Sequence, residues 1–327
     1  MADNLFEVKN LEMFFPIKRG FRKKVIGHVK AVNDVTFDIR PGETLGVVGE
    51  SGCGKSTIGN CMIRLLKPTG GQVLYTKKDG EVVDLAQMEE KNLKFFRRES
   101  QMVFQDPYSS LNPRMTVRDL IGEPLLVHKT VPKEEISDQV AQMLKRVGLR
   151  PEYMKRYPHA FSGGQRQRIS IARALIMQPR FVICDEAVSS LDVSVQAQII
   201  ELLQDLQAEY KNSYMFISHD LSVVKHISDR ILVLYLGKVV EFCESDELFE
   251  NTLHPYARAL IDAVPKIDPE HRKVHVSVTG EVGDPSKDYP GCAFASRCKH
   301  ATDRCNKECP ALREHSPGHY VACHLYD

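Results

Sequence analysis

With 327 residues, 43% of them hydrophobic, the chain has room for one large domain and an appendage, or for two modest domains around a real core. A formal net charge of +1 with 27% charged residues excludes a global electrostatic bias toward nucleic acid or acidic partners. No run approaches the ~18 apolar residues of a spanning helix. The start Met1-Ala2-Asp3-Asn4 also lacks the basic and apolar regions of a secretory signal, so a cytoplasmic chain with reduced cysteines is expected.

In chain order, Leu5-Phe6-Glu7-Val8 and Val35-Thr36-Phe37-Asp38-Ile39 alternate as half-buried strands do, predicting an N-terminal antiparallel sheet. Between them Lys18, Arg19, Arg22, Lys23, Lys24 and Lys30 read as a solvated hairpin tip, the alternative being contact with anionic lipid headgroups. From Glu43 onward strands alternate with helices: strand 44–48, helix 55–66, strand 102–105, helix 165–177, strand 181–185, helix 195–210 and strand 214–218. This pattern predicts an α/β domain with a largely parallel sheet. Residues 115–159, punctuated by Pro124, Pro132 and Pro151, read as an inserted helical subdomain, bounded at about 107–160. After Pro265 the periodic pattern fades, so a domain 1–265 followed by a small module 266–327 is expected.

Gly49-Glu50-Ser51-Gly52-Cys53-Gly54-Lys55-Ser56-Thr57 follows a predicted strand and opens a helix, the context of a phosphate-binding P-loop. Its glycines let backbone N–H groups converge on phosphate oxygens at a helix N-terminus. Lys55 is expected to reach the β- and γ-phosphates and the Ser56 hydroxyl to ligate Mg2+. Phe181-Val182-Ile183-Cys184-Asp185-Glu186 is an apolar strand ending in two carboxylates, where ligands bind in open α/β sheets. Asp185 is placed for the magnesium shell and Glu186 to polarise the attacking water, the alternative being an acidic pair that caps a helix.

Phe161-Ser162-Gly163-Gly164-Gln165-Arg166-Gln167-Arg168 resembles the Leu-Ser-Gly-Gly-Gln signature of the ABC ATPase family, with Phe161 in place of leucine. The resemblance implies a P-loop NTPase nucleotide-binding domain whose Ser162, Gly163, Gly164 and Gln165 cap ATP held by a partner subunit. It further implies that Gln105 is the Q-loop glutamine contacting magnesium, that Ser190-Leu191-Asp192 is the D-loop, and that His219 is the switch histidine at the γ-phosphate. Phe15 stands where the family stacks an aromatic on adenine, with Phe14 as competitor and core packing as the alternative. Ala187 departs from the family, which has proline after the Asp-Glu pair; a slightly looser turn is expected.

The stretches Gln105–Arg114, Leu191–Gln198 and His254–Leu260, and the form of the P-loop, are similar to the F-type ATPase subunit of oligopeptide and dipeptide importers. That branch implies an ATPase that works as a heterodimer with a homologous subunit, on two transmembrane permeases fed by an extracytoplasmic peptide-binding protein. It implies a peripheral position at the cytoplasmic side of the membrane and no nucleic-acid partner. The rival reading, an ABC ATPase acting on nucleic acid or ribosomes, calls for two nucleotide domains or a long insertion; the chain has one P-loop.

Five cysteines crowd the C-terminal segment, which is poor in apolar residues and would gain most from a metal centre. Thiolates select zinc or an iron–sulfur cluster, and the absence of Cys-x-x-Cys knuckles disfavours zinc. Cys292, Cys298, Cys305 and Cys323 resemble the ligands of the importers' 4Fe-4S motif, with Cys309 outside it; zinc is the alternative and disulfides rank third. The nucleotide site is expected to lie in a different part of the fold from this module.

Overall fold

The computed structural model describes residues 4–21, 23–264 and 283–327. The expected boundary near Pro265 falls at residues outside these. Two compact units are present, the first built from Met1–Arg40, Thr44–Gln87 and Ser218–Asp327, the second from Pro41–Glu43 and Met88–Ile217.

In the first unit Phe6–Arg19 and Lys24–Ile39 form a long antiparallel hairpin. Gly70–Thr76 joins its other edge and Val82–Asp84 completes a four-stranded sheet. Alternate residues Phe6, Val8, Leu11, Val35, Phe37 and Ile39 are buried, as a sheet with one covered face requires. The arms run well past the two short predicted strands. Most of the basic stretch is therefore paired strand, and only the turn around Gly20, where Lys23 N donates to Gly20 O at 3.0 Å, is a tip. Cross-strand partners such as Pro16–His28 and Ile17–Gly27 supply order that the polar sequence does not advertise.

The first unit also holds the fully buried strand Thr44–Val48, whose parallel neighbour is Arg230–Tyr235. Lys238–Glu244 follows antiparallel, and the C-terminal strands His319–Val321 and Arg313–Ser316 continue outward from it. The C-terminal segment thus extends the sheet that carries the P-loop strand. The helix opened by Lys55 ends at Met62, earlier than expected, because Arg64 turns left-handed (φ 57°) and donates from Nε to Leu85 O at 2.7 Å.

In the second unit Ser100–Val103, Phe181–Asp185 and Ser213–Ile217 run parallel, with Phe181–Asp185 in the middle and fully buried. Helices Gly163–Leu175 and Val193–Tyr210 follow the expected pattern within two residues at each end. The inserted helical segment carries Pro107–Ser110, Val117–His128 and Ile136–Arg146. Pro124 sits inside the second of these instead of ending it. Buried Leu120, Ile121 and Leu125 hold that helix through the missing hydrogen bond. Among the described residues no helix is long and apolar enough to cross a membrane.

Candidate functional site

The strand Thr44–Val48 delivers the chain into a loop that can be built only with glycines. Gly49 has φ 150° and a Cβ there would lie 2.3 Å from Leu234 O; Gly54 has φ 107° and a Cβ would lie 2.1 Å from Ala31 O. The helix that follows has no side-chain N-cap and no acidic residue in its first turn, an N-terminus whose dipole favours an anion. Lys55, 6% exposed, folds back so that Nζ donates to Gly49 O at 2.7 Å and Glu50 O at 3.1 Å. Those carbonyls satisfy the buried ammonium. Ser51, Gly52 and Ser56 are exposed on the loop and Thr57 half-buried, while Cys53 is buried and its thiol is pushed up, chiefly by desolvation.

Phe15 pairs with Val29 and Phe14 with Lys30, whose ammonium lies 5.8 Å from the Phe14 ring centroid. Both rings are half-buried. His219 is exposed just past the strand Ser213–Ile217.

In the second unit Asp185 is the buried last residue of its strand, and Glu186 follows in a left-handed conformation, φ 47°. Glu186 N donates to Ile217 O at 2.9 Å, and Ser189 donates to Glu186 O from its backbone N at 3.1 Å and its Oγ at 3.0 Å. This locks the strained turn. Gln105 Nε2 donates to Glu186 Oε2 at 2.7 Å, so two residues far apart in sequence meet at adjacent strand ends. The amide oxygen of Gln105 remains as a group suited to a cation.

Ser162 caps the helix Gly163–Leu175 in a reciprocal box with Gln165: Gln165 N donates to Ser162 Oγ at 3.4 Å and Ser162 N to Gln165 Oε1 at 3.2 Å. Gly164 packs against the next helix so closely that a Cβ would meet Val195 Cγ1 at 2.6 Å, and a Cβ on Gly163 would meet Leu191 Cδ2 of the D-loop segment at 3.5 Å. Asp192 caps Val193–Tyr210 by accepting from Val195 N at 3.0 Å; the Ser194 hydroxyl first, and then this amide, hold its carboxyl below the usual range.

In the C-terminal segment Cys292, Cys298, Cys305 and Cys323 line one small cavity of about 20 Å3. Cys309 lies elsewhere, exposed, accepting from Lys238 Nζ at 3.1 Å. Cys292, Cys298 and Cys323 each receive a backbone N–H from two residues on (Phe294, His300 and Leu325), the pattern that steadies a thiolate. Burial nevertheless pushes Cys292 up to about 11, and the neighbouring cysteines add to the shift, so its thiolate would be favoured only with a cation beside it. Two of the three histidines on the cavity lining are engaged elsewhere. His324 contacts Asp327 Oδ2 and Glu308 O at 2.8 and 2.9 Å, and His254 accepts from Tyr256 N through Nδ1 at 3.0 Å. The four cysteine sulfurs offer donors that suit a soft metal, and the exposed His300 also stands on the lining.

The expected distance between this module and the nucleotide loop does not hold. Arg297, in the turn between Cys292 and Cys298, forms a two-pronged ion pair with Glu50 of the P-loop: Nη1 to Oε2 at 2.7 Å and Nη2 to Oε1 at 2.9 Å. Tyr256 Oη accepts from Glu50 N at 2.8 Å. Sequence reasoning missed Glu50, Arg297 and Tyr256 as a group. Each sits inside a stretch whose pattern is legible, yet nothing local marks the contact.

A phosphate cradle on one unit and a glutamine–carboxylate pair at strand ends in the other characterise a P-loop nucleotide hydrolase. The ABC transporter family model matches residues 32–189, and that of the oligopeptide/dipeptide transporter C-terminal region matches 240–305. The oligopeptide transport ATP-binding protein AppF of Bacillus subtilis is 49% identical over 326 residues, 99% of this chain and 98% of the relative. The oligopeptide transport ATP-binding protein OppF of Escherichia coli is 48% identical over 324 residues, 98% of this chain and 95% of the relative. Among solved structures, a dimeric post-hydrolysis form of the ATP-binding cassette MJ0796 bound to ADP and Pi has a TM-score of 0.64 at 28% identity, covering 73% of this chain and 98% of that one. CbiO1 of Clostridium perfringens, part of an ABC transporter complex, also scores 0.64 at 27% identity, covering 76% of this chain and 92% of that one. The chain belongs to the ABC transporter ATP-binding subunits, in their oligopeptide/dipeptide importer branch, and is an ATPase of that class.

Proposed function

We propose that this chain powers import of oligopeptides or dipeptides as one half of an ATPase heterodimer seated on two transmembrane permeases at the cytoplasmic side of the cell membrane, with an extracytoplasmic peptide-binding protein delivering substrate. The observation that carries the reading is the end-to-end similarity to peptide-transport ATP-binding proteins, including the C-terminal region specific to that branch.

In this reading Gly49 to Thr57 cradle the phosphates of ATP, Lys55 neutralises the β- and γ-phosphates, and Phe15 stacks on adenine. Mg2+, when bound, supplies charge neutralisation on the phosphate oxygens; Ser56, Gln105 and Asp185 are the residues that would hold it. Glu186 takes the proton of the attacking water, Gln105 orients that carboxylate, and His219 donates to the γ-phosphate. Ser162, Gly163, Gly164 and Gln165 present a helix N-terminus to the partner's ATP, so closure joins the two subunits and hydrolysis releases them. Detergent extraction of a tagged chain should recover a second ABC ATPase and two permeases, and deletion of the gene should abolish uptake of a labelled peptide. Recovery of ribosomal or nucleic-acid partners with peptide uptake intact would overturn the reading.

Cys292, Cys298, Cys305 and Cys323 are read as ligands of a 4Fe-4S cluster, with a single zinc ion as alternative; their place on one cavity supports a metal, and the resemblance supports iron. Protein purified without oxygen should be brown, absorb near ~400 nm and carry roughly four irons per chain. Serine at any of the four positions should remove the colour, whereas Cys309→Ser should keep it. Stoichiometric zinc without iron would replace the cluster by a structural zinc site.

A further inference from the structure

Glu50 is fixed at every polar group it owns. Its N–H donates to Tyr256 Oη, its carbonyl accepts from Cys53 N at 3.3 Å and from Lys55 Nζ at 3.1 Å, and its carboxylate lies in the two-pronged grip of Arg297. The Arg297 side chain is 4% exposed and that of Glu50 23%, so the pair is largely withdrawn from solvent. Nη1 of Arg297 also reaches Tyr235 Oη at 3.3 Å. Tyr235, Tyr256 and Phe294 form one aromatic cluster with ring centroids 4.7 to 5.4 Å apart. The same cluster seats the turn Ala295–Arg297, which starts from Cys292 and ends at Cys298 through Ala295 N to Cys292 O at 3.0 Å and Cys298 N to Ala295 O at 3.2 Å.

Glu50 places a carboxylate in the loop that must receive a polyphosphate. Unneutralised, that charge would repel the ligand and pull the loop toward solvent. A guanidinium on two oxygens cancels the charge and fixes the carboxylate plane, which lysine cannot do. Arg297 is in turn positioned by the turn that two of the four cavity cysteines bracket.

We propose that Arg297 is a positioning residue for the phosphate loop, and that the cysteine module sets the nucleotide affinity of its own subunit by holding Arg297 on Glu50. The part concerning the module rests on the reading of the four cysteines as metal ligands; the Arg297–Glu50 clamp does not. The arrangement makes loss of the metal a signal at the ATP site.

The test is equilibrium ATP binding by the full-length chain, with metal content and thermal midpoint measured on every sample. Arg297→Met should raise the Kd for ATP by about tenfold or more, and Arg297→Lys by less, since the charge stays but the fork is lost. Glu50→Gln alone should have a small effect. Combined with Arg297→Met it should restore affinity to within about threefold of the parent, because the uncompensated carboxylate is gone. A merely structural arginine would not be rescued this way. In the assembled complex Arg297→Met should raise KM for ATP more than it lowers kcat. An unchanged Kd in folded, metal-loaded Arg297→Met overturns the clamp, as does a double variant no better than the single one. Removal of the metal by a chelator, or Cys298→Ser, should raise Kd in the parent and add little in Arg297→Met; an unchanged parent Kd overturns the link to the module while the clamp is judged by the first arm. If the parent chain holds neither iron nor zinc, the metal reading and the link both fall, and the clamp is again judged separately.

Discussion

Glu186 carries its carboxylate, the proposed proton acceptor, on a backbone that side chains rarely adopt, with φ 47°, a strain of order 1 kcal/mol or more held by Ser189 and by Ile217 O. The turn swings the carboxylate onto Gln105, whose amide donates to it. Glu186→Gln keeps an oxygen for that contact and removes only the proton acceptor, so ATP should bind normally while hydrolysis falls at least ~10²-fold. Single-turnover hydrolysis by the assembled complex checks this, and near-normal turnover would refute the role. Lys55 has a different task. Its ammonium, already held by the loop carbonyls, is the proposed side-chain charge for the phosphates. Lys55→Ala should therefore weaken ATP binding by about tenfold or more in a titration of the isolated chain, where Glu186→Gln shows no loss.

At the scale of elements, the signature helix Gly163–Leu175 combines a cap and a packing contact in one turn. A Cβ at Gly164 would strike Val195 of the same subunit, so Gly164→Asp disturbs its own helix pair as well as any partner nucleotide. Ser162→Ala is the cleaner probe. It removes a capping hydroxyl worth about 1 kcal/mol and the oxygen proposed to meet the partner's ATP. Hydrolysis by the heterodimer should drop at least ~10-fold while ATP affinity of the isolated chain stays unchanged; lost affinity in the isolated chain would contradict the shared site. The elements legible in the sequence were those whose signal is local. Thr44–Val48 and Phe181–Asp185 are apolar runs with sharp ends, and they match residue for residue. The hairpin arms around Lys18 to Lys30 were not legible, because polar strands are ordered by their partners. Gly70–Thr76, opening on two glycines, went unmarked for the same reason. The P-loop, signature and carboxylate pair could be read because each chemistry is confined to a few consecutive residues. The Arg297–Glu50 pair spans 247 positions, and no single-chain pattern encodes it.

Across the whole chain, the C-terminal tail is tied into the P-loop unit by a second buried pair. His319 Nε2 meets Glu241 Oε1 at 2.8 Å and Nδ1 meets Glu247 Oε1 at 3.4 Å, in the strand that pairs Tyr320 and Val321 with Phe242 and Glu241. Glu241 also accepts from Leu253 N and His254 N, both at 2.8 Å, and the adjacent Cys243 thiol is kept neutral chiefly by burial. Burial by itself would lower the His319 pKa, but the two glutamates outweigh it and the result lies above the ordinary 6.5. A pKa raised by folding contributes stability that is complete below 6.5 and is lost as pH rises through the folded value. The tail strands 313–321 should therefore exchange amide hydrogens more slowly, relative to intrinsic rates, at pH 6 than at pH 8, and His319→Gln should remove the difference. Thiolate–metal bonding has the opposite pH dependence, since ligation releases protons and strengthens as pH rises. Protection equal or greater at pH 8 in the parent would show that the His319–Glu241 pair does not control docking of the tail, and would fit the proposed metal ligation doing so.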